Sequence, residues 1–292
     1  MVEKSFCFQK FYHIFFFLFI FLFILNSCKK ASTAPDEQRS QPFPSPPGYQ
    51  LVWHDEFEGT EIDKGKWEHE VNARGGGNNE LQYYTDRLVN SYVKDGVLVI
   101  QALKEHYTGN EGTREYTSAR IRTKNKGDWK YGYFEIKAKL PKGKGLWPAI
   151  WMLPTDQVYG GWAASGEIDI MELLGHEPNK VFGTLHYGGS YPNNVRSGAF
   201  YVLPEGDFSQ DFHVFALEWD TTSISWYVDG KRYQTQTEWY TTAAPYPAPF
   251  DQRFHLILNV AVGGNWPGNP DATTHFPQRM IVDYVRVFQK KP

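Results

Sequence analysis

From Tyr49 onward, apolar and polar residues alternate in short runs. Tyr133 to Leu140 is the clearest: Phe134, Ile136, Ala138 and Leu140 alternate with Glu135, Lys137 and Lys139. Period two puts each set on its own face of a strand. Ser225 to Tyr233 reads as a hairpin turning at Asp229-Gly230, with β-branched and aromatic flanks. Val97–Ala102, His213–Trp219, Phe254–Val262 and Ile281–Phe288 predict further strands. Convincing helical periodicity and internal repeats are missing, and no break in composition follows residue 49. Many short strands over ~240 residues predict one all-β domain, a sandwich of two antiparallel sheets.

The segment ahead of that domain reads as an address and a tether. Lys4 and Lys10 precede an apolar run from Ile14 to Leu25. That run is shorter than the ~20 residues a spanning helix needs, and it reads as the core of a signal peptide over 1–27. Leu25-Asn26-Ser27-Cys28 resembles a bacterial lipobox, in which Cys28 would carry the lipid; the plainer alternative is a signal peptide with a chance cysteine. Residues 28–48 are polar and proline-rich, which predicts an extended linker. The folded domain is expected over 49–292. The expected location is a bacterial cell envelope, with a lipid anchor in a membrane, or otherwise secretion.

Composition narrows the function. A formal net charge of -3 argues against a nucleic-acid partner, which normally needs a basic surface. Cys7 and Cys28 both precede the domain, so neither a disulfide framework nor a cysteine metal site is expected in it. No histidine spacing suggests zinc. Aromatics reach 17 % of the chain, with ten Trp and eighteen Tyr. Flat rings with polar edges suit sugar stacking, although core filling accounts for most of them.

The chemistry concentrates in Gly166-Glu167-Ile168-Asp169-Ile170-Met171-Glu172-Leu173. On a strand, Glu167 and Asp169 share one face and Ile168 and Ile170 the other. Strict alternation would then bury Glu172, at a high cost for an unpaired carboxylate. One extra residue near Met171, a β-bulge, returns Glu172 to the face of Glu167 and Asp169. Three carboxylates on one face repel, so at least one stays protonated. Glycoside hydrolysis needs such a set: one carboxylate attacks the anomeric carbon while a carboxylic acid protonates the leaving oxygen. A solvated acidic face or a calcium site would show the same alternation.

Several spaced motifs resolve that ambiguity. Glu167-x-Asp169-x-x-Glu172 resembles the signature of glycoside hydrolase family 16, in the bulged form of its laminarinase-like branch; the lichenase-like branch has one residue fewer. Trp53-His54-Asp55-Glu56-Phe57, Asn79-Glu80-Leu81-Gln82-Tyr83-Tyr84, Tyr116 to Ile121, Leu146 to Met152, His186-Tyr187-Gly188-Gly189, Val262 to Gly268 and Asp283 to Val287 resemble other family segments in order. The resemblance spans about residues 50–289.

It implies a β-jelly roll with a concave cleft and retaining, endo-acting hydrolysis of a β-1,3-glucan. Glu167 would be nucleophile, Glu172 acid/base, and Asp169 the partner that holds the nucleophile's charge state. Trp147, Trp151 and Trp266 would stack on glucose, with Pro148 expected to break the strand between the first two. Asn79, Arg120 and His186 would contact sugar hydroxyls, although alternation alone cannot separate Arg120 from Arg122. A structural Ca²⁺ would sit on Glu56, Asp283 and a carbonyl near Gly96. A monomer is expected. A mixed-linkage glucanase, an agar-type galactanase and a non-catalytic glucan-binding protein are the alternatives. Glu105–Glu115 reads as a loop insertion, Gly75–Gly77 as an opened cleft wall without the usual Trp, and Val158–Ser165 as a loop at the cleft end.

Overall fold

The computed structural model describes residues 43–292. Among them the strands are β1 Tyr49–Asp55, β2 Glu68–His69, β3 Gln82–Tyr84, β4 Ser91–Lys94, β5 Val97–Gly109 and β6 Gly112–Ser118. The middle of the chain supplies β7 Arg120–Arg122, β8 Asp128–Trp129, β9 Gly132–Lys139, β10 Leu146–Pro154, β11 Glu167–Leu173 and β12 Lys180–Gly188. The rest are β13 Asn194–Val202, β14 His213–Trp219, β15 Ile224–Val228, β16 Lys231–Gln236, β17 Phe254–Val262 and β18 Gln278–Lys290. A single 3-10 turn at Gly75–Gly77 is the sole helical element among the described residues.

The strands build a jelly-roll sandwich. One sheet runs β16-β15-β14-β9-β18-β5-β6-β3, with β1 on β18 and β4 on β5. The other runs β13-β12-β11-β10-β17-β7-β2, with β8 on β17. Pairing is antiparallel except between β3 and β6, which run parallel over three residues; the expectation of purely antiparallel sheets is corrected there. The alternation read in Tyr133–Leu140 is realised in β9, where Phe134, Ile136 and Ala138 are fully buried. The turn at Asp229-Gly230 has positive φ at both residues, the backbone that lets a two-residue turn follow the strand twist.

Between the sheets lie Trp67, Trp219, Trp226, Phe134, Phe215, Phe250 and Phe254, all buried. Each such side chain contributes roughly 1.5–3 kcal/mol or more by leaving water. Of the ten tryptophans, Trp67, Trp129, Trp219, Trp226 and Trp239 are thereby spent on the core.

Two further expectations change. Glu105–Glu115 is a β-hairpin of β5 and β6, not an irregular insertion. Thr108 and Thr113 hydroxyls meet across it at 2.8 Å, and Tyr107 packs edge-on against Tyr83. Pro148 does not break β10; it pairs opposite Val260, and pairing with β11 begins only at Ala149. Ahead of β1, the Phe43 ring lies 3.8 Å from the Arg286 guanidinium, an attractive cation–π contact.

Candidate active site

The site lies on the outer face of the second sheet and is organised by a register slip. On one side of β11, Asp169 faces Thr184 and Glu172 faces Phe182, so Ile170 and Met171 oppose Gly183 alone. On the other side the register shifts between Ile150 and Trp151. Ile170 and Met171 are both buried. The extra residue therefore turns Glu172 back to the face of Glu167 and Asp169. Gly183 is required opposite the bulge: a Cβ there would lie 2.5 Å from Trp226 Cδ1 and from Tyr233 Oη. Trp226, from the opposing sheet, donates its indole N–H to the Asp169 carbonyl at 2.8 Å. A core side chain thus satisfies a backbone acceptor at the bulge.

Each outer carboxylate has its own indole donor. Trp162 Nε1 donates to Glu167 Oε2 at 2.8 Å, and Trp147 Nε1 to Glu172 Oε1 at 3.0 Å. Asp169, between them, is 3 % exposed, and its Oδ2 has no hydrogen-bond partner. His186, on β12, pairs opposite Glu167 on β11. Its Nε2 lies 3.4 Å from Asp169 Oδ2 and 3.7 Å from Glu167 Oε1.

Burial pushes all three carboxyls above the usual carboxylate range. The charge of Asp169 raises Glu167 and Glu172 further, while His186 and the indole N–H donors pull both down. The three carboxyls are therefore coupled, and the group holds on to protons that isolated carboxyls would lose. One ionised and one protonated carboxyl on the same face can perform nucleophilic attack and general-acid catalysis.

An aromatic surface continues from the carboxylates. Trp147 contacts Trp266 edge-on at 5.5 Å, and Trp266 contacts Phe182 at 5.0 Å. Trp266 is 37 % exposed. Trp151 donates to Asn259 Oδ1 at 2.7 Å, and the Arg120 guanidinium sits 4.6 Å over its ring. This contact distinguishes Arg120 from Arg122, which binds Glu68 and Glu70 instead. Arg120 also pairs with Glu70 at 3.0 Å. Asn79 is exposed in its loop and bridges to Asn265 Oδ1 at 2.9 Å.

The structure thus brings Glu167, Asp169, Glu172, His186, Trp147 and Trp266 into one continuous set. Trp162, Phe182 and Asn259 join it without having been singled out. Val158–Ser165 was noted only as a loop at the cleft end, and its tryptophan was the available signal.

The side chains expected to hold calcium lie apart from this set. Glu56 receives Arg286 on both oxygens, at 2.9 and 2.8 Å. Asp283 lies 2.8 Å from Lys137 Nζ. Gly96 is in the β4–β5 turn with φ +76. As placed, each carboxylate is paired with a basic side chain of the protein. Cys28, the signal segment 1–27 and most of the 28–48 linker lie outside the described residues.

Residues 71–286 match the family model described as Glycosyl hydrolases family 16. The chain is 47 % identical over 266 residues to glucan endo-1,3-beta-glucosidase A1 of Niallia circulans, covering 85 % of this chain and 39 % of that protein. It is 44 % identical over 261 residues to a beta-glucanase of Rhodothermus marinus, covering 83 % of this chain and 86 % of that one. The catalytic domain of an endo-1,3-beta-glucanase (laminarinase) from Thermotoga petrophila superposes with a TM-score of 0.75 at 48 % identity, over 84 % of this chain and 99 % of that one.

Proposed function

The chain belongs to glycosyl hydrolase family 16, and from that premise we propose that it is an endo-acting β-1,3-glucanase that retains anomeric configuration. The observation that carries this reading is the bulge in β11, which gives Glu167 and Glu172 one face and each its own indole donor. Relatives named for endo-1,3-β-glucosidase activity support the choice of glucan.

Glu167 attacks the anomeric carbon with one oxygen while the Trp162 N–H holds the other. Glu172, protonated at the oxygen not bound by Trp147, hands its proton to the leaving sugar. The carboxylate it becomes then activates water to hydrolyse the glycosyl-enzyme, which restores both groups. Asp169, buried between them, holds the proton balance as charge moves from Glu167 to Glu172. Trp147 and Trp266 present ring faces or edges to the glucan, while Arg120 and Asn259 fix Trp151 beside them. His186 lies within reach of Asp169 and Glu167.

The lipid anchor at Cys28, a place in the bacterial cell envelope and a monomeric state belong to the same proposal and rest on sequence alone. Proton NMR of the full chain acting on laminarin tests the activity. The expected first product carries a fresh β reducing end. An α anomer would sink the retaining pair, and cleavage of only lichenan or an agar-type galactan would replace the substrate.

A further inference from the structure

Among the described residues, one group of three metal-ligating side chains converges: Glu167, Asp169 and His186, whose ligand atoms lie within 4.8 Å of one another. Other histidine–carboxylate pairs, His54–Glu56, His106–Glu115 and His213–Asp229, offer two ligands each. The triad also has an unmet need. Asp169 is 97 % removed from solvent by its 3 % exposure, and its Oδ2 has no hydrogen-bond partner while facing His186 Nε2 at 3.4 Å. A buried carboxylate oxygen without a donor is a costly feature that a cation relieves.

The spacing fits a tetrahedral ion. With bonds of about 2.0–2.1 Å, neighbouring ligand atoms stand about 3.3–3.4 Å apart. His186 Nε2 to Asp169 Oδ2 is already 3.4 Å, and to Glu167 Oε1 it is 3.7 Å. The third pair, Glu167 and Asp169, lies within 4.8 Å, so the longer glutamate side chain must turn inward to complete the set. One nitrogen and two oxygens suit Zn²⁺, whereas Ca²⁺ and Mg²⁺ ask for more oxygens and no imidazole. Sequence spacing hides this site, because His186 reaches it from the neighbouring strand.

We propose that Glu167, Asp169 and His186 form a three-ligand Zn²⁺ site whose occupation blocks the reaction centre. The fourth position opens to the cleft. A bound ion holds Glu167 away from any sugar, so Zn²⁺ and glucan exclude each other. His186 Nδ1 has no partner to orient the ring, and the lack of an outer-shell partner weakens such sites by about 10–100-fold.

Calorimetry on the full chain without substrate, using ZnCl2 against MgCl2, tests the site. This readout does not depend on the glucanase reading, so each can fail without the other. The expected result is one Zn²⁺ bound per chain, a higher melting temperature with Zn²⁺, and no response to Mg²⁺. His186→Gln and Glu167→Gln should each weaken binding at least tenfold, with the second variant deciding if the first does not fold. In the parent enzyme, inhibition by Zn²⁺ should recede as laminarin is raised. Absence of binding at millimolar Zn²⁺, or equal binding in the parent and the variants, overturns the proposal.

Discussion

Trp147 donates its indole N–H to Glu172 Oε1 at 3.0 Å while its ring edge meets Trp266. One side chain thus touches the proposed acid and the proposed sugar platform together. Trp147→Phe separates the two roles, since the ring stays and the N–H goes. That N–H holds the pKa of Glu172 down, so the variant raises it. In a pH–rate profile the alkaline limb should move upward. The expected cost is roughly tenfold in kcat on laminarin, the effect of about 1.4 kcal/mol at the barrier. An unmoved alkaline limb would assign the tryptophan to stacking alone.

Glu172→Gln and Glu167→Gln should fail differently. Without its acid, Glu172→Gln loses about 10²–10⁴-fold on laminarin. It keeps most of the first step on an aryl glucoside, whose leaving group needs little protonation. Glu167→Gln loses both substrates, because no nucleophile remains. Burst kinetics with the aryl substrate check this. Equal loss in the two variants would reject the division of roles.

How much of this was legible before the structure depends on how local the cause is. Bulge placement follows from three carboxylates and the cost of burying Glu172, all within seven residues. Strand β9 was legible from alternation, and β14 and β17 from short runs rich in apolar, β-branched and aromatic residues. Pro148 was misread because the cost of a proline depends on which neighbouring strand needs the lost N–H, and pairing with β11 had not yet begun there. The β5–β6 hairpin was missed because cross-strand threonines and a Tyr83–Tyr107 contact hold it, not an apolar stripe. Trp162 is close to Glu167 in sequence, yet its aim depends on how the preceding loop folds back. The Glu56–Arg286 pair joins residues 230 apart, and no local pattern reveals it.

The raised carboxyl pKa values predict how stability depends on pH. Glu167 rises from 4.5 to about 8 in the fold. Between those values the native state binds more protons than the unfolded chain. Stability therefore falls as pH rises through this window, and the stabilisation is complete only below it. Glu167→Gln removes the penalty. Relative to the parent, its melting temperature should be similar at pH 4 and higher by roughly 2–4 °C at pH 8, the shift about 1 kcal/mol gives in a domain this size. A difference that stays flat from pH 4 to pH 8 would show that Glu167 ionises freely in the fold.

Gly183→Ala tests the support behind the bulge. The added methyl would stand 2.5 Å from Trp226 and Tyr233, closer than atoms pack. Overpacking of this kind costs about 1–3 kcal/mol. Displacing Trp226 would also weaken its bond to the Asp169 carbonyl. Melting temperature and kcat should fall together, while KM for short glucans changes little. A stable variant with full activity would mean that the opposing sheet does not position the carboxylates.

Calcium is best tested through the cation that occupies its expected ligand. Lys137 Nζ holds Asp283 at 2.8 Å, and both groups are about one third exposed, so the pair itself contributes little to stability. An arriving Ca²⁺ competes with Lys137 for Asp283 and with Arg286 for Glu56. Lys137→Met removes the first competitor and leaves the carboxylate free. After chelation with EDTA, readdition of Ca²⁺ should therefore raise the melting temperature of Lys137→Met more than that of the parent, by mass action on the folded state. If neither protein responds, Glu56, Gly96 and Asp283 form no calcium site, and the Glu56–Arg286 pair alone ties the segment after β1 to β18. If both respond equally, Lys137 does not compete with the ion.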